Sequence, residues 1–107
     1  MQLERRSSRR KSVHLFCNQY IDGMPVLGET LELSMSGALV RRVLGPDVDR
    51  ACYALEIGLP ETPHERVFLC AAPIWRSNSF EAVRFVAQTQ GDKLRLADLI
   101  RSINHLN

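Results

Sequence analysis

Leu31-Glu32-Leu33-Ser34-Met35-Ser36-Gly37-Ala38-Leu39-Val40 is the stretch on which the architecture turns. Its apolar residues alternate with polar ones, the period of an extended strand with one face buried. On that period Leu31, Leu33 and Met35 are expected to face a core, with Glu32 and Ser34 turned outward together. Gly37 then permits a backbone geometry or a close approach that a side chain would block. Residues 38–43 return as the partner strand, and Leu44-Gly45-Pro46-Asp47 ends the hairpin.

Working outward, the same grammar repeats. Residues 13–20 are rich in strand formers and lead into Asp22-Gly23, a hairpin-turn dipeptide. A strand over 26–34, interrupted at Gly28, follows it. Residues 51–59 form a further strand, ended by Pro60 and Pro63. Residues 66–75 form a long one, where Pro73 signals an edge or a bulge. Ser77-Asn78-Ser79 turns the chain into residues 80–88, with Val83, Phe85 and Ala87 expected on one face. About six short strands at close spacing predict a mainly β fold, a small antiparallel barrel that is closed or nearly so. The period then changes. Leu96, Leu99, Ile100 and Ile103 fall at helical spacing, which predicts an amphipathic C-terminal helix over about 92–105, with Asp92 as its N-cap. Its apolar stripe is expected to lie against the barrel end or an open side.

At 107 residues and 45% hydrophobic content the chain can bury one modest core. Fourteen Lys and Arg stand against twelve Asp and Glu, a formal net charge of +2. That balance is uneven: residues 1–11 hold Arg5, Arg6, Arg9, Arg10 and Lys11 against Glu4, a local +4, so the other 96 residues are net −2. The division into a flexible basic arm over 1–11 and a barrel-with-helix domain over 12–107 follows. A binder of long nucleic acid usually spreads its basic residues over a face, so an arm of this kind favours a compact anion over a polymer. Cys17, Cys52 and Cys70 show no metal-binding spacing and are expected to pack as small apolar residues, as in a reducing cytosol. No stretch reads as a signal peptide, and the apolar run over 67–75 is too short to span a bilayer. The expected location is cytoplasmic, without membrane insertion.

These features in their order resemble the PilZ domain, a bacterial receptor module for cyclic di-GMP. Arg6-Ser7-Ser8-Arg9-Arg10 matches the family's RxxxR motif, and Glu32-Leu33-Ser34-Met35-Ser36-Gly37 its [D/N]xSxxG motif. Glu4-Arg5-Arg6 is similar to the acidic–basic run that opens the domain, and Val83-Arg84-Phe85 to its last-strand segment, with Ala82 where Gly is usual. The long strand ending at Trp75 and the terminal helix fit the same layout. One position departs: Glu32 stands where the family has Asp or Asn. The resemblance implies a six-stranded PilZ-type barrel, no catalysis, no cofactor or metal, and a ligand site of Arg5, Arg6, Arg10, Glu32, Ser34 and Gly37. It also implies an effect on motility, surface attachment or polysaccharide production through a downstream protein.

The chemistry of those residue types suits such a ligand. Arginine's planar fork donates to phosphate or to guanine O6 and N7, and its face stacks on a base. Arg6 and Arg10 can embrace one ligand, with Arg5 assisting. Glu32 can accept from a guanine N1–H and N2–H edge or hold an arginine, Ser34 can donate to phosphate, and Gly37 lets the ligand approach the turn and a backbone N–H there. Arg41, Arg42 and Arg84 either add positive potential beside this site or are simply solvated. Two other readings stay open: a degenerate PilZ-like adaptor that binds only protein, and a barrel for single-stranded nucleic acid. The second is disfavoured by an aromatic content of 7%, since such proteins stack bases on aromatic platforms.

Overall fold

The computed structural model describes residues 11–43, 50–59 and 65–106. Six strands precede one helix: β1 (Lys11–Ile21), β2 (Met24–Leu33), β3 (Gly37–Arg42), β4 (Tyr53–Gly58), β5 (Arg66–Ser77), β6 (Phe80–Val86) and α1 (Gln90–Leu106). They close into an antiparallel barrel in the order β1-β2-β3-β6-β5-β4, sealed by β1 pairing with β4. This is the six-stranded architecture expected, with the helix at its end.

Local chemistry explains most of the boundaries. Asp22 and Gly23 both take positive φ, 52° and 82°, between the paired Ile21 and Met24. That is the two-residue hairpin geometry Asp-Gly favours. Asn78 at φ 55° turns β5 into β6. Pro73 sits at a register shift between Pro73 and Trp75, so the bulge reading is the one realised. The interior is filled by inward positions of every strand, among them Leu15, Leu33, Val40, Leu55, Ile57, Leu69, Ala71 and Val83. On α1, Leu96, Leu99 and Ile103 are buried and Ile100 partly so, packing the helix against the barrel alongside β5.

Five details differ from the sequence reading. The β2–β3 register shifts between Thr30 and Glu32, so Leu31 drops out of the inward series and Thr30 and Leu33 are the fully buried pair. β2 ends at Leu33, so the alternation does not carry to residue 34, and Ser34 is buried in the turn, 3% exposed, instead of facing outward beside Glu32. Ala87 leaves the strand with φ 53° and is exposed, because β6 ends at Val86. The helix begins earlier than its apolar stripe: the Thr89 hydroxyl accepts from Asp92 N–H at 3.0 Å, and Asp92 Oδ2 accepts from Thr89 N–H at 3.1 Å. Thr89 is therefore the cap and Asp92 its reciprocal partner three residues on. Among the cysteines only Cys17 packs in the core; Cys52 is exposed and Cys70 half-buried.

Candidate ligand-binding surface

The turn between β2 and β3 is built around one hydroxyl. Ser34 Oγ accepts from Ser36 N–H and from Gly37 N–H, both at 3.2 Å, and lies 3.2 Å from Ser36 Oγ. Ser34 N–H closes the turn on the Gly37 carbonyl at 2.9 Å. A serine side chain bonding backbone two and three residues ahead is a standard turn device. The Gly37 N–H, expected to be open to a ligand, is thus already bonded within the turn. From the far side, Phe85 N–H donates to the Ser36 carbonyl at 2.9 Å, fastening the turn to β6.

Gly37 answers a packing demand. A Cβ there would lie 2.3 Å from the Val83 carbonyl oxygen. The close approach that the sequence suggests at this glycine is that of β6. Directly opposite Gly37 in the β3–β6 ladder stands Arg84, exposed on the outer face. Beside it a concavity of about 300 Å³ is lined by Ser36, Gly37, Ile74, Ala82 and Arg84. Ile74, 63% exposed, reaches this face, and its neighbour Trp75 is exposed as well because the Pro73 bulge breaks the alternation of β5. Sequence reasoning left Arg84 ambiguous and did not single out Ile74; the bulge at Pro73 was the available signal.

The other named positions divide by their place along the barrel. Glu32 is half-buried and pairs with Ser12 on one side and Leu39 on the other. Lys11 pairs with Leu33, so the chain enters the barrel one residue from Ser34. Arg5, Arg6 and Arg10 lie outside the described residues. Arg41 and Arg42 are not beside the turn: four residues separate Gly37 from Arg41, about 13 Å of strand. Arg41 instead pairs with Glu29, whose second oxygen lies 2.6 Å from His14 Nε2. The Arg41 guanidinium and then His14 hold the Glu29 carboxyl below its usual range, against the opposing effect of its burial. Arg42 reaches Gln19 Oε1 at 3.4 Å at the same far end. There Tyr53 donates to Glu81 at 2.7 Å and accepts from Gln19 at 2.9 Å, and Arg76 binds the other Glu81 oxygen. Burial, then the Glu81 carboxylate, pushes the Tyr53 hydroxyl far up, so it stays a donor. This network satisfies polar groups inside the barrel. Among the described residues no three His, Cys, Asp or Glu side chains cluster as metal ligands. No helix there is long and apolar enough to cross a membrane.

Comparison with solved structures places this geometry. The PilZ domain with cyclic di-GMP of YcgR from Escherichia coli superposes with a TM-score of 0.77 at 17% identity, over 96% of this chain and 94% of that one. The chain has the PilZ-domain fold. The PilZ domain of CeSA from a cellulose-synthesizing bacterium matches with a TM-score of 0.65 at 22% identity, over 92% and 97% of the two chains. The Bacillus subtilis inhibitor of motility, MotI/DgrA, matches with a TM-score of 0.71 at 19% identity, over 98% of this chain and 54% of that one. No family model matches the sequence, and no curated protein does either. The segment that resembles the family's second motif in sequence forms the Ser34 turn, and Arg84 stands across the ladder from it.

Proposed function

We propose that this PilZ-fold chain is a non-enzymatic cyclic di-GMP receptor that passes its signal to a protein partner. The observation that carries the reading is the β1–β2 register. With Lys11 opposite Leu33, β1 starts beside the Ser34–Gly37 turn, and the segment bearing Arg5, Arg6 and Arg10 immediately precedes that start. The two motifs, over twenty residues apart in sequence, would then meet on one surface. Arg6 and Arg10 would grip phosphate or a guanine edge, Glu32 would accept from a guanine or hold an arginine, and Ser34 and Gly37 would shape the floor. On binding, the segment before β1 folds onto the barrel, and that changed surface is what the partner reads. Charge-assisted bonds contribute roughly 1.5–3 kcal/mol each and ordering costs about 1–2 kcal/mol per residue fixed, so the affinity depends on how few arm residues must be ordered to make them.

Isothermal titration calorimetry with cyclic di-GMP tests this, with Arg10→Ala as the control. Saturable heat that disappears in the variant is expected; wild-type affinity in Arg10→Ala would remove the site assignment. One observation favours a second reading, a ligand-independent adaptor. Ser34 is fully explained by the turn it holds, and Glu32 is one methylene longer than the family's Asp or Asn. On that reading cyclic di-GMP gives neither heat nor thermal shift, and a protein partner is recovered without nucleotide.

A further inference from the structure

The outer face of β4 and β5 brings the chain's two solvent-accessible thiols together. Tyr53 pairs with Ala71 and Ala54 with Cys70. Continuing that antiparallel register by one residue sets Cys52 opposite Ala72. Leu69 and Ala71 point into the core, so Cys70 faces outward, as does the exposed Ala54. Cys52, two residues before Ala54 and itself exposed, shares that face. The two cysteines are diagonal neighbours across the ladder, both on its outer face.

We propose that Cys52 and Cys70 are a redox-modification site, closing reversibly to an intramolecular disulfide under hydrogen peroxide. The Cys52 thiolate attacks one peroxide oxygen; the O–O bond breaks, leaving a sulfenic acid on Cys52 and a hydroxide that is protonated to water. The Cys70 sulfur then displaces the sulfenic oxygen, which leaves as a second water with the Cys70 proton. Two thiols are oxidised by two electrons and one peroxide is reduced to two waters. The roles follow from exposure: Cys52 meets solvent, while burial, with Cys52 beside it, raises the Cys70 thiol and keeps it protonated as the resolving partner. Diagonal ladder positions lie about 7–8 Å apart, and a disulfide spans Cα separations of about 4.4–6.8 Å. Closing the link therefore requires a backbone approach of about an ångström, which would fall on Cys52, since it precedes Tyr53, the first paired residue of β4. The third thiol is segregated: Cys17 is 4% exposed, and its burial pushes it up to about 11. The link would tie the entry of β4 to β5, the strand whose Ile74 lines the concavity two positions beyond Ala72. The proposal does not depend on the identity of any ligand.

The test is graded hydrogen peroxide on the full reduced chain, followed by alkylation, intact mass and peptide mapping. The expected result is a loss of two hydrogen masses, a fall from three alkylatable thiols to one, a Cys52–Cys70 linked peptide, and full reversal by dithiothreitol. In Cys52→Ser, Cys70 should keep its thiol under the same exposure. Sulfinic or sulfonic acid on Cys52 without a link, disulfide dimers in its place, or equal thiol loss in Cys52→Ser would each overturn the proposal.

Discussion

At Gly37 the absent side chain is a matter of space. Its φ is not in the left-handed region, where Gly23 alone among the described glycines lies. The obstacle is the Val83 carbonyl oxygen, 2.3 Å from where a Cβ would be, and a backbone atom in a ladder cannot step aside as a side chain can. Gly37→Ala must therefore push β3 away from β6 and strain the Phe85 bond to Ser36. We expect a loss of about 1–3 kcal/mol, read as a lower urea midpoint. Unchanged stability would show that the two strands separate freely here. The consequence for the ligand reading is direct: a binding defect in Gly37→Ala speaks of the site only after this stability loss is measured alongside it.

For single elements, α1 shows how a cap and a stripe divide the work. Leu96, Leu99 and Ile103 supply the burial, while Thr89 and Asp92 fix where the helix starts. Thr89→Ala removes the acceptor for Asp92 N–H and should cost about 1 kcal/mol, with faster amide exchange confined to the first turn of α1. Exchange rising equally at Ile103 would mean that the cap holds the whole helix down. The elements were legible where their information is local. Asp22-Gly23 encodes its turn, the apolar stripe encodes the helix, and Thr89-Gln90-Gly91-Asp92 carries a capping spacing that the stripe's later start conceals. The bulge at Leu31 was not legible, because a register slip is decided by the strands on either side, which differ in length and pairing. Ser34 is a separate case: β2 ends at Leu33, so Ser34 belongs to the turn it holds and not to the strand face it was expected to share with Glu32. The two motifs could be read separately in the sequence. Their proposed meeting rests on Lys11 pairing with Leu33, residues more than twenty apart that no local pattern brings together.

For the whole molecule, closure is the decisive step, and it rests on the seam between β1 and β4. That seam pairs only Cys17–Tyr20 with 54–57, against nine pairs between β1 and β2. Glu56 reinforces it from β4: its carboxylate accepts from Asn18 at 3.1 Å and Tyr20 at 2.7 Å on β1, and pairs with Arg66 on β5 at 3.2 Å. Burial pushes this carboxyl upward, but the Tyr20 and Asn18 bonds and the Arg66 charge outweigh it and hold it below its ordinary value. A carboxyl depressed in the folded state binds fewer protons there than in the unfolded chain, so it stabilises fully above the unfolded value, about 4.3 for Glu. That stabilisation is lost as pH falls through the folded value. Glu29, also depressed, adds to the same acid sensitivity by joining β1, β2 and β3. The expected outcome is a urea midpoint that is flat near neutrality and falls below about pH 4, with the earliest amide exchange at 17–20 on β1. Glu56→Gln keeps an acceptor for Tyr20 and Asn18 but cannot titrate. It should lower the midpoint at pH 7, where the charge attraction to Arg66 is gone, and flatten the acid limb. A variant with the wild-type slope would place the acid-sensitive step elsewhere, with Glu29 the next carboxylate to replace.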